Sequence, residues 1–170
     1  MTFDVFSRLP GPIEEEQEHK LVVFTAGGVS YGASIMSVRE VVNPHEVDPV
    51  PSAPPYVSGV TDHRQNVIPV VDLRKRFGVE PEGSEREKWV IVTSNGLETA
   101  LLVDGVSGVV AVERDEQRRR HPLIEGEEAT LIETVWSRPD GLLFELDLKK
   151  VIEGTARMAE GAEALGEESR

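Results

Sequence analysis

The stretch VFTAGGVSYGASIMSVREVV, from Val23 to Val42, recurs without a gap as IVTSNGLETALLVDGVSGVV, from Ile91 to Val110. Each copy is an apolar run, a pair of turn-forming residues and a second apolar run. The turn pairs, Gly27-Gly28 and Asn95-Gly96, tolerate the positive φ angles of a two-residue hairpin turn. The sequence therefore predicts one β-hairpin twice, and this duplication decides the fold class.

A second pair of segments extends the duplication. VIPVVDLRKRFG, from Val67, matches LLFELDLKKVIEG, from Leu142, and places Asp72-Leu73-Arg74-Lys75 on Asp147-Leu148-Lys149-Lys150. An Asp before a basic stretch is typical of the start of a helical turn. Each half is thus predicted to contain a hairpin, an apolar linker, a second hairpin and a capped helical turn.

The remaining turns and loops divide these units. Gln65-Asn66 falls on Asp140-Gly141, which predicts a turn in each second hairpin. The proline-rich stretch 49–55 leads into a strand beginning near Val57, because proline does not fit a central strand. The polar stretch 81–88 connects the halves.

Taken together, these units predict a mainly β protein of two pseudo-symmetric β-barrels. Each barrel has about five strands, with short helical segments, and closure removes exposed strand edges. Neither barrel alone buries much surface, so we expect a shared hydrophobic interface. We expect a flexible acidic tail over 1–19, one domain over 20–154 divided near 80–88, and a second acidic tail over 155–170.

Composition excludes several classes of protein. The 170 residues contain no cysteine, which excludes disulfides and thiolate chemistry and fits a cytoplasmic location. No apolar run approaches the roughly 20 residues that cross a bilayer, and no export signal is visible. A net charge of −13 disfavours nucleic acid and anionic membranes as partners.

Searches for catalytic or metal-binding patterns give a negative answer. The four histidines show no metal-ligand spacing. Ser58 lacks the Gly-x-Ser-x-Gly elbow of hydrolases, and Asp72 and Asp147 are expected to cap helices rather than form a catalytic dyad. The basic run Arg118-Arg119-Arg120 is expected to be a solvated surface. We therefore predict no catalytic residue, no metal and no cofactor.

The stretch YVSGVTDHRQNVIPVVDL, from Tyr56 to Leu73, resembles the CheW-like coupling proteins of bacterial chemosensory systems. Further similarity covers Phe24 to Val42 and Leu101 to Val110, so that it spans about Lys20 to Ile152. The resemblance implies two SH3/OB-like five-stranded barrels. It also implies a non-enzymatic adaptor between the cytoplasmic hairpin tip of chemoreceptors and the regulatory domain of a CheA-like histidine kinase.

The resemblance also implies two sets of contact residues. Val38, Glu40 and Gly59 fall on positions associated with kinase binding. A second set falls on positions associated with receptor binding: Arg64, Val106 and Val109. For the three valines, burial in the core is an equally good interpretation, because alternation places half of such residues inside.

One turn departs from the family pattern Asn-x-Arg-Gly, because this chain has Asp62-His63-Arg64-Gln65. Without the glycine, we expect the positive φ angle at Asn66. We also expect Asp62 to pair with Arg64.

Two alternatives stay open. One is an adaptor of the same fold that serves another signalling partner and lacks the usual receptor or kinase contact, which this departure and the acidic tails favour. The other is a small-barrel enzyme or a binder of oligosaccharides or oligonucleotides, for which exposed aromatic side chains would be needed. The four candidates do not cluster in the sequence: Tyr31, Tyr56, Trp89 and Trp136.

Overall fold

The structure is a computed structural model that describes residues 19–118, 126–153 and 155. The described part of the chain contains eleven strands, two four-residue α-helices and three short 3-10 helices, at Ile35–Ser37, Arg114–Glu116 and Glu127–Leu131. Their bounds are β1 His19–Ala26, β2 Val29–Ser34, β3 Val38–Val42, β4 Val57–His63, β5 Asn66–Asp72, α1 Leu73–Arg76, β6 Lys88–Ser94, β7 Leu97–Val103, β8 Gly105–Val112, β9 Gln117–Arg118, β10 Ile132–Arg138, β11 Gly141–Leu146 and α2 Leu148–Val151.

The strands form two sheets in which the halves of the chain are intertwined. Sheet 1 has the order β8-β1-β2-β11-β10-β9, and sheet 2 has the order β3-β6-β7-β5-β4. The first hairpin, β1–β2, therefore lies among strands of the second half, while β6–β7 lies among strands of the first. Parallel pairs join them, β2 with β11 and β5 with β7.

These sheets confirm the predicted mainly β fold with two pseudo-symmetric units and short helices. The first five strands of the sheet 1 order match the five of sheet 2 one for one, since β8 pairs with β1 as β3 pairs with β6. The two-residue strand β9 adds a sixth to sheet 1.

Alternation along the first strand of each hairpin explains the packing. In β1, Leu21 and Val23 face a core within sheet 1, whereas Val22 and Phe24 face a core shared by both sheets. In β6, Trp89 and Ile91 likewise face a core within sheet 2 while their neighbours face the shared core. A strand buried on both faces has an uninterrupted apolar sequence, and each such side chain contributes about 1.5–3 kcal/mol.

Both predicted helix caps are present. The Asp72 carboxylate accepts hydrogen bonds from the backbone N–H groups of Arg74 and Lys75, at 3.0 and 3.5 Å. Asp147 accepts one from the N–H of Lys150 at 3.3 Å. Each Asp satisfies a donor that the first turn of a helix leaves unpaired.

The turn positions in the two second hairpins were wrong by one residue. His63 pairs with Asn66 and Arg138 pairs with Gly141, so the turn residues are 64–65 and 139–140. The predicted turn pairs do occupy matching positions in the repeat. The strand register, however, places each turn one residue closer to the N-terminus.

Parts of the predicted tails and basic run lie outside the described residues. These parts are 1–18, 156–170 and the pair Arg119-Arg120. His19 lies in β1 opposite Val112, and the hydroxyl of Thr155 donates to the carbonyl of Ile152 at 2.6 Å. Arg118 is exposed, as predicted, and donates to the carbonyl of Asp115 at 3.0 Å.

Candidate functional site

Three polar side chains join the two edges of sheet 2. Glu40 lies on the edge strand β3, whereas His63 ends the opposite edge strand β4 and Arg64 follows it. Nε and Nη2 of Arg64 donate to the two carboxylate oxygens of Glu40, at 2.8 and 2.9 Å. Nε2 of His63 lies 2.5 Å from Oε1 of Glu40. We call these three residues the edge cluster.

Backbone geometry at the hairpin turn places Arg64 in this cluster. Positive φ angles of 50° and 69° occur at Arg64 and Gln65, and the expectation of a positive φ at Asn66 was wrong. A two-residue hairpin turn takes positive φ at both central residues, whatever their identity. Because neither residue is glycine, the turn stores strain of about 1–2 kcal/mol per residue.

The partner of Arg64 also differs from the expected one. Glu40 takes both donors of the guanidinium fork, and the expected pairing with Asp62 was wrong. Successive residues on a strand point to opposite faces of the sheet. The carboxylate that binds Arg64 comes instead from Glu40 on β3, 24 residues upstream in the sequence. The Arg64 side chain keeps 74% of its surface exposed, so it remains accessible to a partner.

The edge cluster fixes the charge state of Glu40. Hydrogen bonds from Arg64 and then from His63 lower the pKa of the Glu40 carboxyl to about 2. The same carboxylate raises the pKa of Arg64. Glu40 is therefore an anion at any physiological pH, and three directed hydrogen bonds stabilise its charge.

Aromatic rings pack beside the edge cluster. The His45 ring lies 6.4 Å from the His63 ring and 4.5 Å from the ring of the buried Trp89. The hydroxyl of Thr61 donates to the Glu46 carbonyl at 2.8 Å and lies 3.2 Å from Nδ1 of His45. These contacts hold the connection after β3 against β4.

Gly59 occupies a position that requires glycine. It lies on β4 with a φ of 147°, and a Cβ atom there would approach the carbonyl oxygen of Asp48 to 2.1 Å. Asp48 and Val60 exchange two backbone hydrogen bonds of 2.8 Å at this point. Glycine therefore lets the chain beyond β3 return to the far edge of sheet 2.

The three valines divide between core and surface. Val38 on β3 and Val106 on β8 occupy matching positions of the duplication, and both are half-buried against the shared core. Val109 on β8 is 54% exposed. Core packing thus explains the buried part of the Val38 and Val106 side chains. It does not explain an apolar side chain at the exposed position of Val109.

Val109 lies on a groove of about 260 Å³ in sheet 1. The groove runs between β8 and the β10–β11 turn, and its polar wall includes Arg138 and Asp140. Leu142 on the same groove is 41% exposed, and sequence reasoning missed it. The alternation of side chains along a strand was the signal for this residue, because Leu142 faces outward where its neighbour Leu143 is buried.

The structure regroups the predicted site residues. Glu40 and Arg64, which were assigned to different partners, bond to each other. Val106 and Val109 lie on β8 in sheet 1, whereas Arg64 lies at the β4–β5 turn of sheet 2. His63 was missed as a member of the edge cluster, because its partner is 23 residues away in sequence.

Two further observations concern other functions. Within the described ranges, the group of acidic side chains close enough to share a cation is Glu113, Asp115 and Glu116 at the protein surface. Over those same ranges, no helix has the length and hydropathy needed to span a membrane.

Comparison with known proteins decides the family. A family model described as the CheW-like domain matches residues 20–156. The chain belongs to the CheW-like family. This match covers both halves of the duplication, including the edge cluster and the groove beside Val109.

Named relatives agree with this assignment. The chain is similar to the chemotaxis protein CheW of Treponema pallidum, with 31% identity over 149 residues, 85% of this chain and 87% of that protein. It is 27% identical to the chemotaxis protein CheW of Bacillus subtilis over 135 residues, 79% of this chain and 86% of that one.

A solved structure supports the fold of the CheW-like domain. The crystal structure of the scaffolding protein TtCheW from Thermoanaerobacter tengcongensis superposes with a TM-score of 0.74 and 27% sequence identity. The match covers 83% of this chain and 97% of that one. The same intertwined arrangement thus occurs in a protein described as a scaffold.

Proposed function

We propose that this chain is a non-enzymatic adaptor that couples chemoreceptors to a CheA-type histidine kinase in chemotaxis signalling. The observation that carries the proposal is the CheW-like domain across residues 20–156, with both of its halves folded into the intertwined sheets. Relatives described as chemotaxis proteins and as a scaffold support a binding role rather than catalysis.

Two surfaces carry this function. The kinase regulatory domain docks on the part of sheet 2 that holds Val38, Glu40 and Gly59. The receptor's cytoplasmic hairpin tip contacts Arg64 together with Val106 and Val109, and a helical hairpin reads such a surface through side chains on one face. Since Glu40 and Arg64 bond to each other, the two surfaces meet at the edge cluster.

The adaptor works by linkage. Binding both partners at once turns the second encounter into an intramolecular one and raises its effective concentration. The unit responsible is the domain over 20–154, which divides into two repeats near 80–88. Acidic tails over 1–19 and 155–170 flank this domain. It acts in the cytoplasm at receptor arrays, without a cofactor, a metal, nucleic acid or membrane insertion.

Calorimetric titration with each isolated partner tests this proposal. The protein is titrated with the regulatory domain of the kinase encoded beside its gene and, separately, with a peptide of the receptor hairpin tip. We expect saturable binding to both. Absence of binding to either partner, with the protein shown to be folded, contradicts the coupling function.

The turn at residues 62–65 supports a second candidate. Asp62-His63-Arg64-Gln65 replaces the usual pattern of the family, and His63 adds a third donor to Glu40. An adaptor of this fold that serves a different signalling partner accounts for such a change. Binding to the kinase domain without binding to the receptor hairpin favours this candidate.

A further inference from the structure

A buried arginine lies where the two sheets meet. Arg74, on α1 after the last residue of β5, keeps 4% of its side chain exposed. Its Nε and Nη2 atoms donate to the two carboxylate oxygens of Asp72, each at 3.0 Å. Its Nη1 donates to Glu87 and to Asp104, each at 2.8 Å. We call these four residues the Arg74 network.

One member of the Arg74 network reaches the other sheet. Asp104 is the single residue between β7 of sheet 2 and β8 of sheet 1. Its second carboxylate oxygen accepts the backbone N–H of Gly27 at 2.8 Å, and Gly27 is the tip of the β1–β2 hairpin in sheet 1. The N–H of Asp104 donates to the carbonyl of Thr25 at 2.8 Å.

Val79 adds a hydrogen bond and van der Waals packing to this junction. The backbone N–H of Val79 donates to the carbonyl of Arg74 at 2.9 Å. A Cβ atom on Gly27 would lie 2.9 Å from Cγ1 of Val79, so the hairpin tip of sheet 1 is in close contact with the chain that follows α1. The contact and the ion pairs fix the same two parts of the fold.

The duplication does not repeat the Arg74 network. In the second half, the position of Arg74 is occupied by Lys149, which is exposed. In the first half, the position of Asp104 is occupied by Met36, which is 87% exposed. The network therefore exists at one of two pseudo-equivalent junctions, so the symmetry of the fold does not require it.

We propose that Arg74 is a positioning residue whose network fixes the orientation of sheet 1 relative to sheet 2 at the β7–β8 junction. The network holds β8, with Val106 and Val109, at a set angle to the strands that carry Glu40 and Gly59. On the proposed function, it also makes this junction the route by which occupancy of one surface biases the other.

The physical basis is the number and direction of the bonds. A guanidinium fork fixes direction as well as distance, which an ammonium group does not. Screening by salt is weak at a buried site, so these bonds persist at physiological ionic strength. Loss of one carboxylate releases the hairpin tip and the start of β8 together, because Asp104 serves both.

A distance measurement across the sheets tests the proposal. The chain has no cysteine, so spin labels on Ser58→Cys in β4 and Ala111→Cys in β8, both exposed, report the distance between sheets by pulsed electron paramagnetic resonance. The labelled protein is compared with its Asp104→Asn and Arg74→Lys variants. Asp115→Asn, at an exposed residue, is the matched charge control.

We expect one narrow distance distribution for the parent and for Asp115→Asn, and a broadened or shifted one for Asp104→Asn and Arg74→Lys. If Arg74→Lys does not fold, the milder Asp104→Asn decides. A folded Asp104→Asn variant with the parent distribution overturns the proposal.

A binding measurement tests the consequence for signalling. The affinity for the receptor hairpin peptide is measured with and without the kinase domain, which gives a coupling factor, typically about 5- to 150-fold in allosteric proteins. We expect Asp104→Asn to bring this factor toward one while each separate affinity stays within about twofold of the parent. An unchanged factor overturns the signalling consequence. Absence of any binding by the parent refutes the proposed function, while the distance measurement still decides the geometry.

Discussion

Glu40 and Arg64 belong to segments at opposite edges of one sheet, and their side chains meet in a two-bond ion pair of 2.8 and 2.9 Å. The pair joins β3 to the β4–β5 turn, and an isolated backbone bridge between Asp48 and Val60 joins the segment after β3 to β4. Residues proposed for the kinase and for the receptor thus share one electrostatic unit. A partner that engages Arg64 alters the environment of Glu40 directly.

Reversing the charge of Arg64 separates binding from stability. Arg64→Glu is expected to weaken receptor binding at least tenfold, because it removes the exposed cation and places a second carboxylate beside Glu40. The free energy of unfolding should stay close to that of the parent, since exposed ion pairs contribute little to stability. Calorimetry and urea unfolding measure the two effects.

Arg114→Glu is the matched control, because Arg114 is exposed, belongs to neither proposed set of contact residues and undergoes the same change of charge. It should leave receptor binding nearly unchanged. A large loss of stability in Arg64→Glu instead shows that Arg64 is a structural residue.

The edge cluster also has a defined pH dependence. The pKa of Glu40 is lowered to about 2 in the folded protein, whereas an unperturbed Glu has a pKa near 4.3. A lowered pKa means that the stabilising contribution is complete above about pH 4.3 and is lost as the pH falls toward 2. NMR titration of the Glu40 carboxyl carbon should give a midpoint near 2, rising in Arg64→Ala. Identical midpoints in the two proteins contradict the assigned cause.

Gly59 tests close packing against backbone strain. Gly59→Ala adds a Cβ atom at a φ of 147° against the Asp48 carbonyl, whereas Gly108→Ala adds one at a φ of 132° with nothing within 4 Å. Strain alone costs about 1–3 kcal/mol in either variant. The clash in Gly59→Ala should add about 1–3 kcal/mol, measured by urea unfolding. Equal losses in both variants contradict the close approach.

Two valines on one strand should respond differently to truncation. Val106→Ala removes two half-buried carbons from the shared core and should lower the free energy of unfolding by about 1 kcal/mol. Val109→Ala, at an exposed position, should stay within about 0.5 kcal/mol of the parent while weakening receptor binding. A loss of stability without a loss of binding in Val109→Ala assigns that residue to the fold.

The two helix caps provide a pseudo-symmetric pair. Asp147→Ala removes a cap and should cost about 0.5–2 kcal/mol. Asp72→Ala removes a cap and also leaves the buried Arg74 without its bidentate partner, for which a loss of about 3–5 kcal/mol is expected. Thermal unfolding of both variants at the same pH measures the two losses of stability. Equal losses contradict the special role of the Arg74 network.

Much of the fold was accessible from the sequence, because the duplication repeats local signals. The Gly27-Gly28 and Asn95-Gly96 pairs predict turns from backbone preference alone, and Asp72 and Asp147 predict caps for the same reason. These features depend on a few adjacent residues. They are therefore visible without knowledge of tertiary contacts.

The rest depended on register and on contacts distant in sequence. The turn at Arg64 and Gln65 violates the glycine preference, so the strand pairing decides its position. The bonds from Arg64 to Glu40 and from Arg74 to Asp104 join residues 24 and 30 positions apart. The intertwining of the hairpins is what brings the partners of Arg74 together, and no local pattern encodes it.

Co-sedimentation of the kinase with receptor-bearing membranes tests the coupling role most directly. The kinase is mixed with these membranes with and without this protein, and the bound kinase is quantified. The account predicts that the kinase sediments with the receptor only when this protein is present, and that Arg64→Glu abolishes the effect while Arg114→Glu does not. Sedimentation of the kinase that is the same with and without this protein would contradict the account.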